Sequence, residues 1–444
     1  MKSIVVFGAG SVARAHIRYL LDHGFSVTAA SRTVSKAEAI VDGHPNGRAE
    51  TFDIAREPER LAPLIARHDL AVSLLPFTYH PRVAEVCIEA GKHMVTTSYA
   101  GKQILALDRP AKEAGVTLLN EIGVDPGIDH MTAMEVIHRV QEAGGEITSF
   151  TSYCGGLPAP EANDNPFGYK FSWSPKGVLT AGKQSARFRK DDELVDVSGQ
   201  VLFDHRVPVS VEVEGEEILL EGYPNRDSLP YLGYYGIESV HTMFRGTLRF
   251  PGWCATMRKM VDLGWLDEAE RGDLRGLSFG GLTARLAGCE GSTDLARDVA
   301  AFLKLDRNDV VITNLEWLGL FADDALPEQV ATPIDALTAR MLEHMSYRPG
   351  ERDLLILQHE FLAAYPDHRE RITSTMIDFG IPHGDSSMAR TVGLPAAVGA
   401  RMILDDEITS RGVLVPVNPE IYVPVLKELR SLGIQFTERT ETLA

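Results

Sequence analysis

The first chemistry legible in this chain lies in Gly8-Ala9-Gly10-Ser11-Val12-Ala13, a GxGxxA pattern that follows directly on the apolar run 4–7. Gly8 permits a tight turn, Gly10 lets backbone N–H groups approach a pyrophosphate, and Ala13 lets a following helix pack closely on the strand. Val12, His16, Tyr19 and Leu20 then recur at helical spacing up to Gly24, and 26–30 reads as a second strand. The amino terminus of that helix turns its partial positive charge toward bound phosphates, so Ser11 and Val12 join the glycines as cofactor contacts. At the end of the second strand an NAD site places an acid on the ribose hydroxyls. This chain has Ser31-Arg32-Thr33 instead. A guanidinium grips a 2′-phosphate in a fork, whereas an acid repels it. The expectation is NADP, with Arg32 on the phosphate and Ser31 or Thr33 assisting. The competing reading has Arg32 stacked on adenine or pointing to solvent.

These residues need a scaffold, and the alternation of patterns supplies one. Strands are expected at 4–7, 26–30, 49–53, 69–75, 93–97 and 116–119, with helices at 57–67, 81–90 and 107–114 between the later ones. Such alternation gives an open, mostly parallel, doubly wound α/β sheet whose ligands bind beyond the carboxyl ends of the strands. Leu75, Pro76 and Ser98 sit at two of those ends as further cofactor contacts. The ends at 75–79, 97–100 and 120–127 are expected to face the nicotinamide and the substrate.

A helix at 131–143 and a strand at 147–153 lead into 152–179, a stretch rich in glycine, proline and aromatics that shows neither period. Tyr153, Phe167, Tyr169, Phe171 and Trp173 argue against disorder, so the stretch reads as a folded binding loop. Strands near 209–213, 217–220 and 248–250 suggest a β-sheet substrate domain. Residues 253–364 read mainly as a helical insertion, with apolar-faced helices at 257–263, 295–303 and 336–345. Helices at 388–404 and 419–432 close the chain.

Composition bounds the function. At 444 residues the chain exceeds one core, and 44% hydrophobic with 24% charged residues is ordinary for a soluble protein. A net charge of −18 argues against nucleic acid and anionic membrane surfaces. No apolar run is long enough for a membrane span, and the amino terminus does not read as a signal peptide. Cys87, Cys154, Cys254 and Cys289 are scattered without CxxC spacing and read as reduced thiols, so a cytoplasmic enzyme is expected.

Gly8–Ala13, Ser73-Leu74-Leu75-Pro76, Ser98-Tyr99, the run from Asn120 to His130, the 152–179 stretch, the run from Gly222 to Ser228, Arg245-Gly246-Thr247-Leu248-Arg249 and the run from Ser387 to Pro395 are spread over nearly the whole length. In these motifs the chain resembles the saccharopine reductase family, the glutamate-forming saccharopine dehydrogenases of lysine metabolism. The resemblance implies a Rossmann domain at 1–127 rejoined by C-terminal helices at 387–444. It further implies a substrate-binding and dimerisation domain at 128–386 with a helical insertion at about 253–364, NADP as cofactor, a homodimer, and reversible imine reduction joining glutamate to aminoadipate semialdehyde.

A substrate with three carboxylates and a secondary amine needs cations and backbone donors. Arg226 suits a bidentate carboxylate clamp, against the alternative of a surface pair with Asp227. Gly155 and Gly156 can bring backbone N–H groups to an anion, Thr247 can hydrogen-bond a carboxylate, and Leu157 completes the wall. Arg245 and Arg249 are poorer candidates, since on a strand they point one way and either could be structural. Asp125 can stabilise an iminium cation or relay a proton, or else cap the helix that follows it. Cys154 can act as a weak acid–base or as a small hydrophobe, and Tyr99 offers a hydroxyl and a ring face near the nicotinamide. Asp125, Cys154 and Tyr99 are therefore the catalytic candidates. With Ser98 they join Gly155, Gly156, Leu157, Arg226 and Thr247 on the substrate side. His80, His130 and His383 read as satisfied core or surface histidines, and no metal is expected. The rivals are a relative acting on another imine, such as carboxynorspermidine, and a non-catalytic NADP-binding scaffold.

Overall fold

A computed structural model describes residues 1–443. It divides into two compact units, Met1–Glu146 with Gly384–Phe436, and Ile147–His383 with the residues from Thr437 on. The first unit holds a seven-stranded sheet in the order Gly412–Leu414, Thr117–Leu119, His93–Val95, Leu70–Ser73, Ser3–Phe7, Ser26–Ser31, Gly47–Thr51. Every neighbouring pair is parallel. Ile4, Val5, Val6 and Phe7 are wholly buried, because a central parallel strand is covered on both faces. The chain order reverses at Ser3–Phe7, which puts a topological switch point at Gly8. Gly8 has φ 111°, and a Cβ there would come within 2.8 Å of the Leu74 carbonyl oxygen. Gly393 performs a similar service behind the loop. A Cβ on it would lie 2.7 Å from the Val12 carbonyl oxygen, so helix Ser387–Leu404 can lie against helix Ala13–Asp22.

The first unit does not stop at residue 127. Helix Ile128–Glu142 stays with it, packed on helix Pro419–Ser431 through the His138 to Tyr422 hydroxyl hydrogen bond at 2.7 Å and the Arg430–Glu135 ion pair. Nor is the end of the chain purely helical. Strand Phe436–Leu443 joins the edge of the second sheet.

The second unit is built on a mixed nine-stranded sheet. Its main path runs Val207–Val213, Glu216–Pro224, Thr242–Arg249, Glu146–Pro158, Asp353–Ala364, Arg369–Phe379, Phe436–Leu443, with Ala186–Lys190 and Glu193–Val197 off the path. Two expectations fail here. Residues 152–158 are no loop but the second half of strand Glu146–Pro158. Gly155 and Gly156 interrupt its apolar alternation and hide the period of two. The stretch assigned to the helical insertion ends early, since Asp353–Ala364 is a strand paired antiparallel with Arg369–Phe379. A continuous apolar run such as Leu354–Leu357 has no period to tell strand from helix. Between them, helices Trp253–Leu263, Phe279–Leu286, Leu295–Leu303, Val310–Trp317 and Pro333–His344 pack around Trp253 and Trp265. Phe167, Tyr169 and Phe171 belong to that same core, with Tyr169 4.7 Å from Trp253 between ring centroids. They hold the helices to the sheet.

Candidate functional site

In the first unit the glycine loop opens directly onto helix Ala13–Asp22, which carries no side-chain cap. Gly10 is exposed, and nothing lies within 4 Å of where its Cβ would be. Ser11 is exposed and Val12 half-buried beside it. One strand along, the Ser31 hydroxyl accepts from the Thr33 N–H at 3.4 Å, while Arg32 and Thr33 are exposed. Arg32 forms no ion pair among the described residues. Leu75 is half-buried and Pro76 exposed, ahead of the turn Phe77–Tyr79. An uncapped helix start, an open glycine and an unpaired guanidinium fit a dinucleotide that bears an extra phosphate. These residues would hold NADP.

The segment Ser98-Tyr99-Ala100 follows strand His93–Val95 and is clamped from below. The Glu121 N–H donates to the Ser98 carbonyl at 3.1 Å, and the Glu121 carboxylate accepts from the Ala100 N–H at 2.9 Å. Glu121 itself sits at φ 55° and is buried, its other oxygen 2.9 Å from His130 Nε2. A left-handed non-glycine residue with a buried carboxylate is a strained arrangement that the surrounding bonds must over-determine. Its product is the placement of Tyr99, whose hydroxyl donates to Asp125 Oδ1 at 3.0 Å. Two catalytic candidates are thus brought together at the carboxyl edge of the sheet. Helix Ile128–Glu142 has Gly127, not Asp125, at its N-cap position, and no side-chain cap there. Asp125 and Tyr99 are both half-buried.

In the second unit Thr247 pairs in register with Cys154 on one side and Tyr223 on the other, so the three share one face of the sheet. Tyr223 and Thr247 share a side-chain hydrogen bond, and burial pushes the Tyr223 phenol up to about 12. Cys154 is 9% exposed. Gly156 lies on that face too, whereas Gly155 points the other way, where a Cβ would come 2.7 Å from Leu248 Cβ. Close strand packing thus accounts for Gly155. Leu157 also faces away, fully buried in a cluster with Leu248, Val211 and Leu354, which removes its side chain from the site. Arg226 is exposed at φ 56°. Its carbonyl accepts from the Arg187 N–H at 2.9 Å, and the Asn225 N–H is bound to the Arg245 carbonyl at 2.8 Å. Asp227, the alternative partner for Arg226, pairs with Arg187 at 3.6 Å.

Sequence reasoning underrated Arg249. It is 5% exposed, stacked over Tyr169 at 4.7 Å and Trp253 at 5.5 Å, with one nitrogen on the Leu248 carbonyl at 2.7 Å. Its Nε has no hydrogen-bond partner, and it pairs with no carboxylate among the described residues. A buried guanidinium stays charged, so an anion of some kind is its natural complement. The signal was present in the alternation Arg245, Thr247, Arg249, which puts all three on one strand face. Among the described residues no group of three or more His, Cys, Asp or Glu could hold a metal ion, and no helix is long and apolar enough to cross a membrane.

Residues 4–119 match the saccharopine dehydrogenase NADP binding domain and residues 123–434 the saccharopine dehydrogenase C-terminal domain. The chain is 40% identical to the NADP, L-glutamate-forming saccharopine dehydrogenase of Schizosaccharomyces pombe, with 99% of each chain covered. It is 38% identical to the enzyme of the same name from Pyricularia oryzae, again over 99% of each. The mitochondrial alpha-aminoadipic semialdehyde synthase of Bos taurus matches 99% of this chain at 38% identity, over 48% of its own length. Among solved structures, apo saccharopine dehydrogenase (L-Glu forming) from Saccharomyces cerevisiae superposes with a TM-score of 0.88 at 36% identity, covering all of both chains. A homospermidine synthase from Legionella pneumophila shares the fold alone, at TM-score 0.60 and 10% identity.

Proposed function

The chain belongs to the saccharopine dehydrogenase family, and on that premise we propose how its residues carry out the L-glutamate-forming reaction. The reaction is NADP-dependent oxidation of saccharopine to glutamate and 2-aminoadipate 6-semialdehyde, with reductive condensation as its reverse. The enzyme is an oxidoreductase of lysine metabolism acting on a CH–NH bond. When bound, NADP would supply the acceptor for the hydride lost from the carbon beside the secondary amine. A C=N bond then replaces that C–H bond and its nitrogen is cationic; water adds to the same carbon with loss of a proton, the C–N bond breaks, glutamate leaves with the nitrogen as its amino group, and the carbon becomes the aldehyde.

The observation that carries the assignment of roles is the Tyr99–Asp125 hydrogen bond at 3.0 Å. The Asp125 carboxylate balances the cationic nitrogen and takes the proton released when water adds, and the Tyr99 hydroxyl orients that carboxylate by donating to it. Arg226, Thr247 and Arg249 meet the substrate carboxylates, with the Gly156 backbone and Cys154 on the same sheet face as Thr247. In the first unit Gly8, Gly10, Ser11 and Val12 receive the pyrophosphate, Arg32 with Ser31 and Thr33 the 2′-phosphate, and Leu75, Pro76 and Ser98 the nicotinamide side.

Asp125→Ala is expected to lower kcat about a hundredfold, the lower end for a positioned acid–base group, while Cys154→Ser costs less than about threefold. The measurement is NADPH absorbance with saccharopine at alkaline pH. Wild-type turnover in both variants would overturn the assignment. Arg32→Ala should raise the KM for NADPH and leave that for NADH unchanged, and equal losses with both would remove Arg32 from the phosphate. The family resemblance supports a homodimer, checked by a light-scattering mass of twice 48.7 kDa, and the four free thiols support a reducing, cytoplasmic compartment, checked by fractionation.

A further inference from the structure

Beneath Ser98 lies a buried histidine that the reaction scheme leaves unused. His80 is 2% exposed and begins helix His80–Ala90. Its Nδ1 is 2.8 Å from the Ser73 hydroxyl and its Nε2 is 2.8 Å from the Ser98 hydroxyl. Burial pushes its pKa down to about 4, and the positive end of its own helix also disfavours an imidazolium. The ring is therefore neutral and carries one proton, on one nitrogen or the other.

Thr96 decides which. Its hydroxyl has a single proton, donated to the Ser73 carbonyl at 2.9 Å. The same oxygen lies 3.4 Å from His80 Nε2 and 3.4 Å from the Ser98 N–H, so toward both it can only accept. A lone pair on Nε2 would face a lone pair on Thr96 Oγ1. A proton on Nε2 satisfies Thr96 and Ser98 together, and Nδ1 then accepts from Ser73. Ser73 is fully buried, so the chain Ser98–His80–Ser73 ends in the protein and is no proton wire to solvent.

We propose that His80 is a positioning residue: its Nε2–H donates to Ser98 Oγ and thereby turns the Ser98 hydroxyl proton outward, making Ser98 an obligate donor to an oxygen of the bound ligand. This rests on the reading that Ser98 faces the ligands of this enzyme. The acceptor is a carboxylate of saccharopine or an oxygen of the cofactor. In the first case Ser98→Ala raises the KM for saccharopine, and in the second it weakens NADPH binding followed by fluorescence.

The test compares Ser98→Ala, His80→Asn, His80→Gln and the double variant His80→Asn/Ser98→Ala, with thermal melts alongside. A Gln carboxamide N–H reaches the position of Nε2, whereas the shorter Asn reaches only that of Nδ1. Ser98→Ala and His80→Asn should each lower kcat/KM about tenfold, the worth of one hydrogen bond. His80→Gln should recover to within about threefold of wild type, and the double variant should be no worse than either single. Multiplying losses in the double variant, or equal losses with Asn and Gln, would overturn the inference and leave the Ser98 site intact. Wild-type kinetics in Ser98→Ala would instead remove Ser98 from the ligands and take the inference with it.

Discussion

Replacing Arg249 with Met separates binding from folding, because the two effects carry opposite signs. In the folded protein the guanidinium keeps one hydrogen bond and two ring faces, with Nε unpaired and no carboxylate in ion-pair range among the described residues. Two cation–π contacts in a desolvated setting contribute about 2–4 kcal/mol. Burying the charge without an anion costs several kcal/mol, so a Met of similar length should leave stability unchanged or raise it by about 1 kcal/mol. The ligand side loses a charge-assisted hydrogen bond to a carboxylate, about 2 kcal/mol, or about thirtyfold in kcat/KM. Most of that should appear as a higher KM for saccharopine, since the carboxylate is charged in ground and transition states alike. Urea melts and initial rates from NADPH absorbance read the two quantities on one preparation. A variant that loses more than about 2 kcal/mol of stability while keeping wild-type kcat/KM would show that Arg249 is structural and that its charge needs no ligand.

Two further outcomes follow from particular geometry. Gly8→Ala should destabilise the protein by about 1–3 kcal/mol, because φ is 111° and the new Cβ meets the Leu74 carbonyl oxygen at 2.8 Å, whereas Gly10→Ala has open space and should weaken NADPH binding with little change in Tm. Melting temperatures and NADPH titrations check both, and a Gly10→Ala protein with wild-type affinity would refute the loop's assignment to the pyrophosphate. The pH dependence rests on His16 and His80, which burial holds at about 4 against an ordinary 6.5. Well above pH 6.5 neither state binds protons at these sites. As pH falls below 6.5 the unfolded chain protonates first, so stability declines, by about 3 kcal/mol per histidine on reaching pH 4. Urea midpoints at pH 7, 6 and 5 that stay level in wild type, or fall equally in His16→Met, would contradict this.

The cofactor half was legible in the sequence because its determinants are local. Gly8, Gly10 and Ala13 act within one turn, and the apolar runs around them have the length and order of buried parallel strands. The second unit was less legible for three separate reasons. Gly155 breaks the alternation of a strand whose neighbour, Leu248, leaves no room for a side chain. Leu354–Leu357 is apolar on both faces and so carries no period. Phe167, Tyr169 and Phe171 advertise burial without saying against what, and their partner Trp253 lies some eighty residues on. The Tyr99–Asp125 bond joins two strand ends that only the sheet order makes adjacent. Glu121 and His80 were hidden for a related reason: each acts through the backbone or hydroxyl of a different segment.

The contrast between Arg226 and Arg249 bears on how a chain of net charge −18 accepts a polyanionic cofactor and a substrate with three carboxylates. The overall field opposes both ligands, so attraction must be local. At physiological salt an exposed charge is screened over about 8 Å, which leaves Arg226 effective only near contact. A buried charge is screened far less, and Arg249 sits under aromatic rings where water is excluded. Its price is the desolvation that a partner carboxylate would ordinarily offset. On the proposed role, leaving that partner out of the protein lets a substrate carboxylate supply it. A carboxylate engineered beside Arg249 would then stabilise the fold and compete with the ligand at the same time, the outcome that the proposed role predicts.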